Sequence, residues 1–122
     1  VSGGFHQFAD VIGAELGFQA VYANRLVIEH GHLTGALEGE IVDAERKRMV
    51  LLDQQRRQGL DLSSVMALGD GANDVPMITA AGIGLAYHAK QVARDAARGF
   101  IAHGDLTVIL YALGIARKDW KE

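Results

Sequence analysis

The sequence predicts an α/β fold: part of a Rossmann-like parallel sheet, flanked by helices and accompanied by a small β-hairpin. Short apolar runs at 65–68 and 82–87 are typical of strands buried on both faces of a parallel sheet. Segments with helical periodicity alternate with these runs, as in βαβ units. One hairpin signal, at 25–37, adds an antiparallel ribbon.

Composition limits the class of protein. The chain has 122 residues, 49% hydrophobic and 22% charged, which suits one globular domain or part of one. Its net charge of −3 offers no electrostatic basis for binding nucleic acid or acidic membranes, and it has no cysteine for a disulfide or thiolate site. No apolar run approaches the roughly 20 residues of a membrane helix, and no signal peptide is visible. We therefore expect a cytoplasmic protein.

The first residues are predicted to leave a strand and enter a helix. Residues 1–5 read as the tail of a strand that runs into a glycine-rich turn. A helical apolar stripe follows from His6 to Leu16 and stops at Gly17. The short apolar run 18–22 is predicted to be a strand.

The predicted hairpin joins 25–29 to 32–37 through His30 and Gly31. His30 and His32 lie near its turn. A metal pair is one interpretation, but solvent-facing histidines are favoured because a third ligand is lacking.

The rest of the chain alternates between helices and strands. Asp105 is expected to cap the last helix and Gly114 to end it. His88 and His103 follow predicted strands and are interpreted as loop residues. The predicted elements are a helix over 43–58, a strand over 65–68, a helix over 76–81, a strand over 82–87, a helix over 88–98, a strand over 100–102 and a helix over 106–113.

The stretch 65–77 carries the strongest chemical signal. Gly-Asp-Gly directly after a buried strand predicts that the Asp70 carboxylate projects from the carboxyl end of that strand, where open α/β sheets usually bind ligands. Asn73 or Asp74 is expected to cap the next helix, with Pro76 in its first turn. Carboxylates and an amide without an adjacent cation suit Mg²⁺. Gly-Asp-Gly alone, however, is also a common turn.

Two further positions are candidates for binding phosphate. Ser2, with small residues around it, offers a hydroxyl and free N–H groups at the start of a helix, although it could simply be a helix cap. Lys47 lies near the start of the helix over 43–58 and could supply the missing cation. Charge pattern alone favours a solvated surface lysine at this position.

Together these motifs resemble the haloacid dehalogenase-like phosphatases. Gly-Asp-Gly-Ala-Asn-Asp-Val-Pro at 69–76 is similar to the fourth motif of that superfamily. The opening 1–5 and Ala-Tyr-His-Ala-Lys at 86–90 are most similar to its bacterial phosphoserine phosphatases. The resemblance covers all 122 residues. It implies the C-terminal part of a phosphatase core domain, without the N-terminal part and the cap.

The resemblance implies a role for each candidate. Ser2 and the Gly3 N–H would bind the substrate phosphate, and Asn73 would hydrogen-bond near it. Lys47 would neutralise charge on the phosphate and the nucleophile. Asp70 would coordinate Mg²⁺, and Asp74 would hold the loop and the water shell of the metal. The implied reaction is the hydrolysis of O-phosphoserine to serine and phosphate through an aspartyl-phosphate intermediate, the last step of serine biosynthesis.

One departure from the family pattern is large. The nucleophile and the general acid belong to an Asp-x-Asp motif, and no two aspartates of this chain are two positions apart. In the family that motif lies on the central strand of the sheet. We therefore expect the chain alone to be inactive, with the strand supplied by a missing N-terminal half, a partner or a swapped copy.

Three alternatives stay open. The chain could be a non-catalytic fragment that binds metal or phosphate, or it could act on another small phosphomonoester. The phosphorylation domain of a P-type ATPase has a similar Gly-Asp-Gly-x-Asn-Asp motif, but the hairpin, the Ser2 loop and the absence of a membrane segment argue against it.

Overall fold

The computed structural model describes residues 1–121 and confirms the α/β class. No helix among these residues is long and apolar enough to cross a lipid bilayer. Short 3₁₀ turns occupy Leu62–Ser64, Ala72–Asp74 and Arg117–Asp119. The main elements are α1 His6–Leu16, β1 Arg25–Glu29, β2 His32–Glu38, α2 Ala44–Arg57, β3 Met66–Gly69, α3 Val75–Ala80, β4 Ile83–Tyr87, α4 Gln91–Ala96, β5 Gly99–Ile101 and α5 Thr107–Ala112.

The sheet that positions the site has three parallel strands in the order β3-β4-β5. Met66 pairs with Ile83, and Leu85 pairs with Gly99. Within residues 1–121, β3 has no other strand partner than β4, so its outer edge is unpaired. Because the strands are parallel, the loops that follow β3, β4 and β5 all leave from the same edge of the sheet.

Two apolar clusters pack α2, α3 and α4 against this sheet. Gly84 of β4 is required for this packing, because a β-carbon there would lie 2.0 Å from the carbonyl oxygen of Ile78. The helix α3 therefore approaches the strand more closely than a larger residue would allow. One cluster contains Leu51, Ala67, Met77 and Ala81, and the other contains Ile78, Ala86, Ala89 and Ala93.

The hairpin is confirmed. β1 and β2 are antiparallel, with Glu29 opposite His32. Both turn residues have positive φ, 50° at His30 and 79° at Gly31, as the tight primed turns of hairpins require. His30 and His32 are exposed, which confirms the solvent-facing interpretation.

The predicted strand over 18–22 is wrong. Residues 18–23 are irregular, and the extended part lies slightly later, where Asn24 forms an isolated parallel bridge with Phe5. The Ser2 N–H donates to the Tyr22 carbonyl oxygen at 2.8 Å and the Asn24 N–H to that of Gly4 at 2.9 Å. This ladder stays short because the chain turns into α1 at His6.

The other predicted elements agree within about a residue at each end, with one exception. The helix predicted over 88–98 spans only Gln91–Ala96. It begins late because His88 has a left-handed backbone (φ 45°) that ends the strand in a sharp turn, and it stops early because the backbone of Ala97 is extended. α2 matches its prediction, and the Asp43 side chain caps it by accepting from the Arg46 N–H at 2.8 Å.

Candidate active site

A buried ion pair lies at the centre of the candidate site. Lys47 Nζ donates to Asp74 Oδ1 at 2.7 Å, and the two residues are only 6% and 4% exposed. Lys47 lies in the first turn of α2, and Asp74 ends the 3₁₀ turn after β3. The surface lysine favoured by the charge pattern is therefore wrong, because α2 packs against α3 on the side from which Lys47 projects.

Asp74 also holds the loop that precedes it. Its Oδ2 accepts the N–H groups of Asp70 and Gly71 at 3.0 and 3.3 Å. Asp74 occupies the N-cap position of α3, as expected, but its side chain makes no capping hydrogen bond to α3 and reaches back to the loop instead. Pro76 does lie in the first turn of α3. Gly69 is required here, because a β-carbon would lie 2.3 Å from the Asp74 β-carbon.

These contacts set the charge of Asp74. Burial favours the neutral carboxyl, but the hydrogen bond from Lys47, the loop N–H groups and the lysine charge together hold the pKa of Asp74 below its ordinary value. Asp74 is therefore a carboxylate at neutral pH. The ammonium of Lys47 has three N–H donors and uses one on Asp74, which leaves donors for an anion.

Asp70 differs from Asp74 in being exposed at the carboxyl end of β3. Its carboxylate makes no ion pair or hydrogen bond within the described part of the chain. Its backbone is fixed on both sides, because its N–H donates to Asp74 and its carbonyl oxygen accepts from the Lys90 N–H at 2.9 Å. Among the described residues, Asp70 therefore presents an unpaired carboxylate on a loop whose backbone is hydrogen-bonded on both sides.

This carboxylate fits a magnesium site as a single ligand. Mg²⁺ is often held by one or two carboxylates, with water and substrate phosphate completing its shell. Residues 1–121 contain no cluster of three or more histidine or acidic side chains that could hold a metal.

Ser2 and Gly3 lie in an exposed turn. Ser2 Oγ accepts the Gly4 N–H at 2.9 Å. The turn lies beside the segment that leads into α2, the helix of Lys47, because a β-carbon at Gly3 would lie 3.7 Å from the Val42 carbonyl oxygen. Asp74 thus joins Lys47 to the loop of Asp70, and Asn73 is exposed on that same loop.

Asn24 is a residue of the site that sequence reasoning missed. It is 6% exposed, its amide nitrogen donates to the Gly3 carbonyl oxygen at 2.9 Å, and its Oδ1 accepts the Val42 N–H at 2.8 Å. It therefore holds the turn of Ser2 against the segment that leads into α2. The only sequence signal was a polar amide next to an apolar run.

Comparisons with known proteins agree with this geometry. The profile of the haloacid dehalogenase-like hydrolases matches residues 1–79. The chain is 44% identical over 119 residues to a phosphoserine phosphatase of Streptomyces coelicolor, covering 98% of this chain and 29% of that protein. It spans between 29% and 53% of the length of four such curated relatives.

Solved structures show the same relationship. An unliganded probable phosphoserine phosphatase from Vibrio cholerae superposes with a TM-score of 0.89 at 36% identity, over 97% of this chain and 36% of that one. A phosphoserine phosphatase solved as an analogue of its phospho-aspartyl intermediate superposes with a TM-score of 0.85 at 37% identity, over 91% of this chain and 53% of that one. With the profile match over more than half of its length, the chain belongs to the haloacid dehalogenase-like hydrolase family.

Proposed function

We propose that this chain is part of a magnesium-dependent phosphatase that hydrolyses O-phosphoserine to serine and phosphate, the last step of serine biosynthesis, in the cytoplasm. The observation that carries the proposal is the buried Lys47–Asp74 pair, whose carboxylate also holds the loop of Asp70. The 44% identity to a phosphoserine phosphatase over 119 residues supports the choice of substrate.

Each candidate residue has a distinct role in this proposal. The Ser2 hydroxyl and the Gly3 N–H bind the phosphate, with Asn73 hydrogen-bonding beside it. Lys47 donates its free N–H groups to a phosphate oxygen. Asp74 keeps that ammonium in place and fixes the backbone of Asp70, whose carboxylate holds Mg²⁺. The metal, when bound, supplies positive charge that stabilises the transferring phosphoryl group.

The difference in burial between Lys47 and the exposed residues of the site supports this division of roles. A charge that acts on a transition state is most effective when it is desolvated and already oriented, as Lys47 is. Groups that meet the substrate must be accessible, and Ser2, Asp70 and Asn73 are exposed.

In this proposal the attacking carboxylate comes from outside these 122 residues, because they contain no Asp-x-Asp pair. One relative was solved as an analogue of a phospho-aspartyl intermediate, which supports an aspartate as nucleophile. We therefore propose that this chain alone does not hydrolyse phosphoserine. A missing N-terminal half of the natural protein would supply the aspartate, although a partner or a swapped copy could do so as well.

A groove of about 410 Å³ supports this part of the proposal. It lies between the first residues and β3, and its walls include Val1, Tyr22, Leu51, Met66 and Leu68. The unpaired edge of β3 borders it, so an incoming strand could form a ladder there.

The exposed face of α1 also supports a covering segment. Four apolar side chains of this helix are each more than half exposed: Phe8, Val11, Ile12 and Leu16. Apolar surface of this extent is typical of an interface with another segment or chain.

The test compares this chain with the natural protein extended upstream of Val1. Both are assayed with Mg²⁺ on phosphoserine and on a panel of other small phosphomonoesters. Activity on phosphoserine in the extended form alone is the expected result. Faster hydrolysis of another ester would correct the substrate, and activity in the short chain would refute the external nucleophile.

The second candidate is a non-catalytic fragment that binds metal or phosphate, and the absence of a nucleophile motif favours it. Under this alternative the extended protein also lacks activity. Inorganic phosphate and Mg²⁺ would still bind, as calorimetry on the extended protein would detect.

A further inference from the structure

His88 has a backbone conformation that side chains rarely adopt. Only two residues other than glycine in the described part of the chain have positive φ, His30 at 50° and His88 at 45°. His30 lies in the tight turn of the hairpin, where such φ values are expected. His88 directly follows β4, where no hairpin requires one. A conformation of this kind persists only when its surroundings hold it in place.

Three contacts hold His88. Its N–H donates to the Ile101 carbonyl oxygen at 2.9 Å, which extends the pairing of β4 with β5. Its Nε2 lies 2.7 Å from the Gly104 carbonyl oxygen. Because a carbonyl oxygen only accepts, Nε2 must carry a proton. The ring also lies against that of Tyr87, with 4.4 Å between the centroids. His88 therefore joins the loop after β4 to the loop after β5.

The turn at His88 has a consequence two residues later. It directs the chain so that the Lys90 N–H donates to the Asp70 carbonyl oxygen at 2.9 Å. Asp70 is thus held from one side by Asp74 and from the other by the loop that His88 anchors. A cavity of about 350 Å³, lined in part by Asp70, Tyr87 and His88, lies between these loops.

We propose that His88 is a positioning residue, which orients the Asp70 carboxylate for Mg²⁺ through the Lys90 N–H. This inference rests on the proposed function, because it takes Asp70 as a metal ligand. Outer groups that orient a ligand contribute to metal affinity without touching the metal. Loss of the His88–Gly104 hydrogen bond would loosen the loop after β4. The Asp70 carboxylate would then be less well oriented when Mg²⁺ binds.

The test uses the natural full-length protein and measures Mg²⁺ binding by calorimetry. His88→Gly keeps the left-handed backbone but removes the ring, and we expect Mg²⁺ affinity to fall about tenfold. His88→Gln restores an N–H donor close to the position of Nε2, and we expect it to recover part of that loss. The matched control is His30→Gly, the other left-handed histidine, for which affinity should not change.

A second measurement distinguishes positioning from general stability. Hydrogen exchange of the Lys90 amide should be faster in His88→Gly than in the parent, while exchange in β3 stays the same. A lower melting temperature with unchanged Mg²⁺ affinity would overturn the inference. If His88→Gly does not fold, His88→Asn takes its place, because asparagine tolerates the left-handed region.

Asp70→Asn separates the two proposals. If it lowers Mg²⁺ affinity and His88→Gly does not, the inference about His88 fails while the metal assignment stands. If Asp70→Asn binds Mg²⁺ as tightly as the parent, the assignment of Asp70 as a metal ligand is wrong, and the inference about His88 is then wrong as well. Loss of affinity in both variants, with His30→Gly unchanged, supports both proposals.

Discussion

The buried and the exposed halves of the candidate site differ in how complete they are. Lys47 and Asp74 are almost fully buried, and their charges are paired within the described part of the chain. Ser2 and Asp70 are exposed, and the Asp70 carboxylate has no partner there. The two buried charges therefore already have their partners, whereas the side chains that would contact a ligand are still accessible.

The difference shows which interactions this part of the chain supplies by itself. A buried ion pair is stable only when its geometry is good and further hydrogen bonds support it, as the N–H groups of Asp70 and Gly71 do on Asp74 Oδ2. Among residues 1–121, no fully buried side-chain nitrogen or oxygen lacks a hydrogen-bond partner. The pair therefore belongs to the folded core, whereas the Ser2 hydroxyl and the Asp70 carboxylate can change their contacts without disturbing it.

Removal of the buried cation should have the largest effect. We expect Lys47→Ala in the natural full-length protein to lower turnover by a few orders of magnitude, because a charge that stabilises the transition state is lost. It should also lower the free energy of unfolding by about 3–5 kcal/mol, since Asp74 is left buried and unpaired. Steady-state kinetics and urea unfolding measure the two effects.

Arg48→Ala is the control for this experiment. Arg48 is the next residue of α2, and its side chain is 41% exposed in an ion pair with Glu45 at 2.6 Å, so its loss should change stability by less than about 1 kcal/mol. Normal turnover in Lys47→Ala would contradict the proposed role of the lysine.

Ser2→Ala probes the exposed half of the site and should have a smaller effect. The loss of one hydrogen bond to a charged phosphate is worth about 1.5–3 kcal/mol, so we expect KM for the phosphate ester to rise by roughly ten- to a hundredfold. Stability should change by about 0.5 kcal/mol or less, because Ser2 is exposed. Ser64→Ala, an exposed serine before β3, should alter neither quantity. A large loss of stability in Ser2→Ala would show that the turn has a structural role instead.

Among these predictions, we expect the smallest effect for the pH dependence of the stability that Asp74 contributes. Because the folded-state pKa of Asp74 is lowered, its carboxylate stabilises the fold above the unfolded-state pKa of about 3.9. This contribution is lost as pH falls through the lower folded-state pKa. The difference in free energy of unfolding between the parent and Asp74→Asn should therefore be largest near pH 6 and shrink towards pH 3.

Asp105→Asn provides the comparison for that titration. The hydrogen bonds from Thr107 also lower the pKa of Asp105, but this group is exposed, so the same trend with pH should be weaker. A difference between the parent and Asp74→Asn that does not vary between pH 3 and pH 6 would contradict the proposed charge state of Asp74.

The sequence by itself determined the class of fold, nearly all of the elements and the loop that carries Asp70. Apolar runs, glycine turns and Asp43 as a helix cap are local signals. Such signals specify an element largely independently of the segments that pack around it. The motif at 69–76 likewise indicated a carboxylate at the end of a strand before any contact was known.

Only the tertiary structure decided which polar residues are buried and what they hold. Charge pattern favoured a surface position for Lys47, yet packing of α2 against α3 buries it in an ion pair with Asp74. The roles of Asn24 and His88 depend on partners 21 and 16 residues away, respectively. No local pattern specifies such contacts, because burial and pairing depend on which distant segments the fold brings together.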